Sequence, residues 1–332
     1  MFDHLPRASL ATLPTPLEAA DRPHNAGPAL WIKRDDLTGL GGGGNKARKL
    51  EFLCGEAVAE DAKSLVTVGA AQSNHCRMTA AAGSRLGLEV HLILSGDAPV
   101  ADDALTGNQL LSKMFGAQMH YTGAAESHWG ELEIAREALT DELAAQGMRP
   151  SSIPIGGSTV TGALGYAVAF VELIEQCATA GFVPRAVVFT SSSGGTHAGL
   201  LAGRAAMIAD GRLDRDSAPD IVAIGVAKGV NLGYPDIAGL ADSVLEVMQV
   251  DAVIDGDDVE VDARWLGEDY GARTDAATAA IDWAARSGGW LMDPTYSGKG
   301  LSGLLGQVAE GRWNRDDHVV FIHTGGWPAL FA

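Results

Sequence analysis

Along the chain, short β-branched apolar runs alternate with longer stretches in which apolar residues recur every three or four positions. Leu30-Trp31-Ile32-Lys33 reads as a strand, followed by the turn-prone Arg34-Asp35-Asp36 and a run of glycines. From Lys46 to about Glu60, the residues Leu50, Leu53, Cys54, Ala57 and Val58 mark one face of an amphipathic helix. The alternation continues with strands predicted over 64–68, 88–94, 118–121, 186–189, 221–226 and 318–322. Helices are predicted to end near Leu86 and Val308 and to span 104–115, 127–146, 162–175, 198–208 and 275–285. Such alternation over short connections predicts an α/β fold with mostly parallel sheets wrapped by helices. Leu13 to Pro16 reads as an extended entry, because each proline pushes its predecessor out of helical geometry. Ile155-Gly156-Gly157-Ser158-Thr159 reads as a hinge, and residues 236–262 as a less regular acidic region.

A chain of 332 residues with 46% hydrophobic content can bury one large core or two smaller ones, and two lobes are expected. There is no internal repeat or low-complexity linker, so the lobes should share an interface. The N-terminus lacks a basic segment followed by an apolar run, and no stretch approaches the roughly 18 uninterrupted apolar residues of a membrane helix. A cytosolic protein is the expectation. The three cysteines, Cys54, Cys76 and Cys177, are too scattered for a disulfide framework or metal cage and read as buried hydrophobes. The nine histidines show no paired metal spacing either, so no metal is expected. A formal charge of −18 opposes binding to nucleic acid, although a local basic spot at Lys46 to Lys49 can still hold one phosphate.

That basic spot closes the glycine run Gly41-Gly42-Gly43-Gly44-Asn45-Lys46. Without a Cβ, glycines let backbone press against a flat or phosphorylated ligand, and the first amides of the next helix face the same place. A phosphate-loop reading fails, because Asn45 stands where its lysine should be and Ala47 where its hydroxyl should be. Two readings stay open: Lys46 as an amine that condenses with an aldehyde cofactor, or Lys46, Arg48 and Lys49 as a solvated helix start. Ser73 or Asn74 is placed to cap a helix at a strand-to-helix junction, the position that lines the crevice of an open α/β sheet. A second glycine-rich turn, Thr190-Ser191-Ser192-Ser193-Gly194-Gly195-Thr196, offers hydroxyls and amides at a helix N-terminus, a better anion cradle than the first.

Five motifs in order, GGNKARKLEF, AAQSNHCR, TSSSGGTHAG, DPTYSGK and FIHTGGWPALF, resemble the family of pyridoxal-phosphate enzymes that includes D-cysteine desulfhydrase and 1-aminocyclopropane-1-carboxylate deaminase. L-cysteate sulfo-lyase resembles the same group, and the likeness covers nearly the whole chain. It implies the tryptophan-synthase-β-like fold, fold type II, with a larger lobe of residues 1–48 and 158–332, a smaller inserted lobe of 49–157, and a homodimer. It also implies that Lys46 is the Schiff-base lysine, that Lys49 supports the cofactor phosphate, that Ser192, Ser193, Gly194, Gly195 and Thr196 cradle it, and that Asn74 bonds the ring's 3′ oxygen. Ser73, Asn74, His75, Tyr270 and Tyr296 would bind the substrate, a small amino acid, with Ser73, Tyr270 and Tyr296 also catalytic. Thr324 would stand near the pyridine nitrogen.

The chain departs from its relatives in ways that narrow the chemistry. Ser297 occupies the position at which the cyclopropane deaminases carry a glutamate beside the ring nitrogen. A hydroxyl there leaves a weaker electron sink, sufficient to expel a good leaving group, which favours β-elimination of a sulfur substituent from a 3-substituted alanine. D-cysteine is the expected substrate, with L-cysteate and the cyclopropane acid as alternatives, and a non-catalytic cofactor carrier as the alternative of another class. Ala71, Cys76 and Trp327 are further departures expected to reshape the pocket.

Overall fold

The computed structural model describes the chain apart from Met1, Asp3 and residues 24–26, 102–104, 126–127 and 234. A six-stranded sheet is built from both ends of the sequence: β1 (Leu17–Ala20), β2 (Ala29–Lys33), β7 (Ala186–Ser191), β8 (Asp220–Gly225), β9 (Glu260–Asp262) and β10 (His318–Ile322), in the order β1-β2-β10-β7-β8-β9. All pairings are parallel except that of β1 with β2. A second sheet takes β3 (Ser64–Gly69), β4 (Glu89–Leu94), β5 (Gln118–Tyr121) and β6 (Pro150–Ile153) in the parallel order β5-β4-β3-β6. The central strands β3 and β7 are buried at every residue, as parallel strands covered on both faces must be.

The helices are α1 (Lys46–Ala59), α2 (Asn74–Leu86), α3 (Gly107–Met114), α4 (Trp129–Ala145), α5 (Val160–Thr179), α6 (Gly195–Ala209), α7 (Lys228–Asn231), α8 (Ile237–Val247), α9 (Asp275–Gly288) and α10 (Ser297–Ala309). Residues 104 and 127, where two helices are expected to start, lie outside the described residues. The acidic 236–262 region is more regular than its composition suggests. It holds α8, capped by Asp236 through Gly239 N, and the short β9. β1, β6 and β9 are the strands without a local signal of their own; each is short and is placed by its pairing, β1 with β2, β6 with β3 and β9 with β8.

Two glycines bring the helices that matter most into backbone contact. A Cβ on Gly165 in α5 would stand 2.3 Å from the carbonyl oxygen of Arg48 in α1, and one on Gly199 in α6 would stand 2.2 Å from that of Ala163 in α5. The α1, α5 and α6 helices therefore stack as closely as main chains allow, and α5, apolar and long enough on paper for a bilayer, is largely buried in that stack.

A buried ionic network locks the stack to β2. Arg48 donates through Nε and an Nη to Asp35 at 2.8 Å and through both Nη atoms to Glu172 at 2.8 and 3.1 Å. Asp35 also accepts from Thr15 Oγ1 at 2.8 Å and Tyr166 OH at 2.7 Å, while Lys33 pairs with Glu172. These partners hold the Asp35 carboxyl below its ordinary range despite full burial, with the Arg48 guanidinium as the main counterweight. Removing one member of a buried pair strands the other charge, so Asp35→Ala should cost about 3–5 kcal/mol of unfolding free energy. Urea denaturation followed by circular dichroism measures it, and a loss below about 1 kcal/mol would mean that Arg48 is adequately paired by Glu172 alone.

Candidate active site

The carboxyl ends of both sheets face one another across a cavity of about 430 Å³. Gly69 ends β3, Ala70 and Ser73 follow it, Pro154 and Ile155 follow β6, Ser192 to Gly194 follow β7, Ala227 follows β8, and Thr324 and Gly325 follow β10, all in its lining. This is where parallel sheets place ligands, because strand-end loops and helix N-termini converge there.

Lys46 opens α1 at the cavity wall, with Nζ near enough to Gly156 that a Cβ there would meet it at 3.6 Å. Burial lowers the Lys46 ammonium to about 8. Lys49, one turn on and fully buried, donates to the carbonyl of Gly156 and to Ser158 Oγ, both at 3.2 Å. Burial, reinforced by the neighbouring Lys46 charge, pushes it well below the usual lysine range. Among the described residues neither lysine has a carboxylate partner, whereas Arg48 between them is fully paired on the opposite side of the helix.

The second glycine-rich turn meets this pair of cations. Gly194 has φ of +83°, a conformation glycine adopts without strain, and α6 starts at the next residue. A Cβ on Gly195 would lie 2.8 Å from both Lys49 Nζ and Ser158 Oγ. Ser158 Oγ donates to Ser193 Oγ at 2.8 Å and accepts from Gly195 N at 3.2 Å, and Thr196 Oγ1 accepts from Asn45 Nδ2 at 3.3 Å. Hydroxyls, helix-start amides and an unpaired ammonium thus converge on one spot, a site built for an anion.

Ser73 caps α2, its hydroxyl accepting from Cys76 N at 3.2 Å. Asn74 Oδ1 accepts from Arg77 at 3.2 Å and from Asn108 Nδ2 at 3.1 Å; since a guanidinium only donates, the amide nitrogen is the end left to donate into the cavity. His75 Nε2 lies 2.9 Å from Thr67 Oγ1, whose proton goes to the Ile153 carbonyl, so Nε2 carries the imidazole proton. Burial first, then Lys46 and Lys49, hold His75 well below its ordinary range and hence neutral. On the far wall the hydroxyls of Tyr270 and Tyr296 hydrogen-bond to each other, and Tyr270 packs edge-on against Trp129 with ring centroids 5.3 Å apart.

The cavity brings together Lys46, Ser73, Asn74, His75, Ser192, Ser193, Gly194, Thr196, Tyr270, Tyr296 and Thr324; Lys49 and Gly195 stand behind its wall, at the cradle. Other expectations need correction. Ser297 does not line the cavity, because its hydroxyl donates to Asp293 Oδ1 at 2.7 Å inside the first turn of α10. Trp327 covers the glycine run, donating to Gly42 O at 2.6 Å, and with Cys76 and Ala71 stands outside the lining. Ser158, Asn45 and Trp129 belong to the site although sequence reasoning did not select them. Ser158 stood within a motif read as a hinge, and Trp129 carries no local signal, since its place depends on a loop far along the chain. Lys46 is the only charged side chain in the lining among the described residues.

Residues 8–325 match the family described as pyridoxal-phosphate dependent enzyme. The chain is 37% identical over 330 residues, 98% of its length and 96% of the relative's, to D-cysteine desulfhydrase of Salmonella typhi, and equally so to that of Salmonella choleraesuis (strain SC-B67). A solved structure of an ACC deaminase homologue superposes with a TM-score of 0.86 at 32% identity, covering 99% of this chain and 94% of that one. A hydrogen sulfide-producing enzyme from Fusobacterium nucleatum shares the fold at 13% identity, with a TM-score of 0.63 over 96% of each chain.

The environment of Lys46 sets a pH dependence. Protein stripped of cofactor should condense with an added aldehyde at a rate that climbs roughly tenfold per pH unit while the ammonium predominates. The rise should level off near pH 8, where burial places this group. Stopped-flow absorbance records the profile. A rate still climbing steeply at pH 10 would mean that the amine sits in water.

Proposed function

The chain belongs to the pyridoxal-phosphate-dependent enzyme family, and from that premise we propose that it is a β-eliminating carbon–sulfur lyase acting on D-cysteine. The residues present suit the cofactor. Two buried cations without a counter-ion, facing a glycine and hydroxyl cradle, would be compensated by a phosphate, and the cavity of about 430 Å³ has room for a substituted pyridine and a small amino acid. In the roles proposed, Lys46 would hold the cofactor aldehyde, Lys49 with Ser192 to Thr196 would hold the phosphate, Asn74 Nδ2 would donate to the ring's 3′ oxygen, and Thr324 would stand near the ring nitrogen. When bound, pyridoxal phosphate takes up the electron pair left as the α-proton departs.

The chain's own groups then divide the work. Lys46 Nζ, desolvated and easily neutral, takes and holds the α-proton. Ser73, whose hydroxyl oxygen is occupied by Cys76 N, keeps its proton to donate to the substrate carboxylate beside the first amides of α2. His75, neutral and fixed as the Nε2–H tautomer, presents an acceptor to the substrate's amine. Tyr270 and Tyr296 deliver a proton to the departing sulfur. D-cysteine and one water become pyruvate, ammonia and hydrogen sulfide.

The observation that carries this choice of substrate is the charge of the lining: among the described residues, one cation, Lys46, and no carboxylate. Without a carboxylate, nothing on the protein holds a proton on the ring nitrogen, which suits expulsion of a thiol better than opening of an unactivated cyclopropane. A sulfonate would need a second cation, but Arg77 is occupied by the carbonyls of Gly41 and Gly43 at 2.7 and 2.9 Å. A non-catalytic cofactor carrier would have no use for Ser73 and a tyrosine pair opposite Lys46. We also propose a cytoplasmic homodimer divided into lobes of 1–48 with 158–332 and of 49–157; the exposed apolar side chains of Leu110, Met114 and Phe331 supply a surface for pairing.

Purified enzyme offered D-cysteine, L-cysteine, L-cysteate and the cyclopropane acid should release pyruvate and sulfide fastest from D-cysteine, with little sulfite or 2-oxobutanoate from the others. Preference for either of the last two substrates overturns the assignment. Lys46→Ala should abolish turnover together with the visible absorbance of bound cofactor, while Tyr270→Phe should lower kcat about 10- to 100-fold with cofactor absorbance intact.

A further inference from the structure

Tyr270 lies in an irregular segment between β9 and α9, with no secondary structure of its own to fix it. The turn just before it holds a buried lysine that the mechanism does not use. Lys299, in the first turn of α10 and fully buried, donates Nζ to the main-chain carbonyl of Leu266 at 2.6 Å and to that of Asp269 at 3.3 Å. Its hydrogen bonds end on carbonyls; the carboxylates of Asp293 and Asp269 act on it only through space. A buried ammonium is costly to maintain, and two main-chain acceptors compensate it only if the 266–269 turn keeps its shape.

The same turn is tied at a second point. Asp269 Oδ1 accepts from Tyr270 N at 2.8 Å and pairs with Lys228 Nζ at 3.0 Å, at the start of the helix whose Gly229 lines the cavity. Meanwhile Tyr296, the residue that precedes α10, brings its hydroxyl to that of Tyr270. One helix start therefore carries one member of the tyrosine pair and, three residues later, the clamp for the other. We propose that Lys299 is a positioning residue that sets the Tyr270 hydroxyl against Tyr296 and so governs delivery of the proton to the leaving sulfur. The proposal rests on the role given to Tyr270 above.

The holoenzyme with Lys299→Met should keep its cofactor absorbance and its KM for D-cysteine within about threefold, yet lose kcat by a factor close to that of Tyr270→Phe, roughly 10- to 100-fold. The double variant should be no slower than Tyr270→Phe alone, since a residue acting through Tyr270 has nothing left to act on. Amide hydrogen exchange within 266–272 should quicken about tenfold or more, a readout independent of catalysis. Losses that multiply in the double variant, or exchange in 266–272 that stays at the wild-type rate, overturn the proposal. If Lys299→Met does not fold, Lys299→Gln, which retains two donors on a shorter stem, should keep more kcat than Tyr270→Phe does, and a kcat at or below that of Tyr270→Phe overturns it too. A Tyr270→Phe enzyme with wild-type kcat would instead remove the role of Tyr270 while the exchange data still report the clamp.

Discussion

Two amino groups buried one helical turn apart, with no carboxylate among the described residues to answer them, are the constraint around which this molecule is arranged. A charge taken out of water is costly, and a like charge beside it adds to the cost. The fold tolerates such a cost elsewhere only by pairing. Arg48, on the same turn of α1, meets Asp35 and Glu172 within hydrogen-bonding distance. Lys49 has a carbonyl and a hydroxyl for partners, and among the described residues neither it nor Lys46 has a carboxylate. The difference between paired and unpaired cations on one helix separates scaffold from proposed site: the paired one anchors α1 to β2 and α5, while the unpaired ones are those to which cofactor roles are proposed.

The architecture follows from bringing three helices to that point. α1 and α6 approach α5 through glycines, so that the lysine-bearing start of α1 and the amide-bearing start of α6 lie side by side. The α6 start then supplies donors and the positive end of its dipole to the same anion that the lysines require. Lysines and cradle are far apart in sequence, at 46–49 and 192–196, and the second sheet adds Ser73 and Asn74, from the junction after β3, to the same lining.

Much of this was legible in the sequence because it is written locally. The helix start at Lys46, the Ser73 cap and the turn before α6 each announce themselves by residue type at fixed spacing, and β10 falls on the predicted 318–322. What escaped was non-local or disguised. α8 carries Ile237, Ala241, Val244 and Leu245 on one buried face, a regular helical pattern hidden by the acids around it. Two of those acids are themselves structural: Asp236 caps α8, and Asp242 accepts from Ile254 N at 2.8 Å. β1 and β9 are short edge strands, each paired on one side only, with β2 and β8. Ser297 was the most instructive case. Its place in the motif suggested a role at the ring nitrogen, but Asp293, four residues earlier, takes up both its hydroxyl and its amide.

That correction moves the chemical inference to firmer ground without reversing it. A weak electron sink does not require a hydroxyl at position 297; it requires that no carboxylate face the ring nitrogen, and none lines the cavity among the described residues. The nearest buried acid, Asp293, illustrates why. Its oxygens accept from the amides of Thr295, Tyr296 and Ser297 at 2.7–3.0 Å and from the Ser297 hydroxyl, so it is consumed in shaping the start of α10. The carboxylate that could have deepened the sink instead fixes the backbone that presents Tyr296. A reaction run with a shallow sink depends more on assisting the leaving group, and the role proposed for Tyr270 and Tyr296 would supply that from two hydroxyls, beside an aromatic wall from Trp129 and a loop clamped by Lys299. Under the proposed reaction, electrophilic power given up at one end of the substrate would be matched by proton delivery at the other, a balance that favours thiols over substituents that leave only under a strong pull.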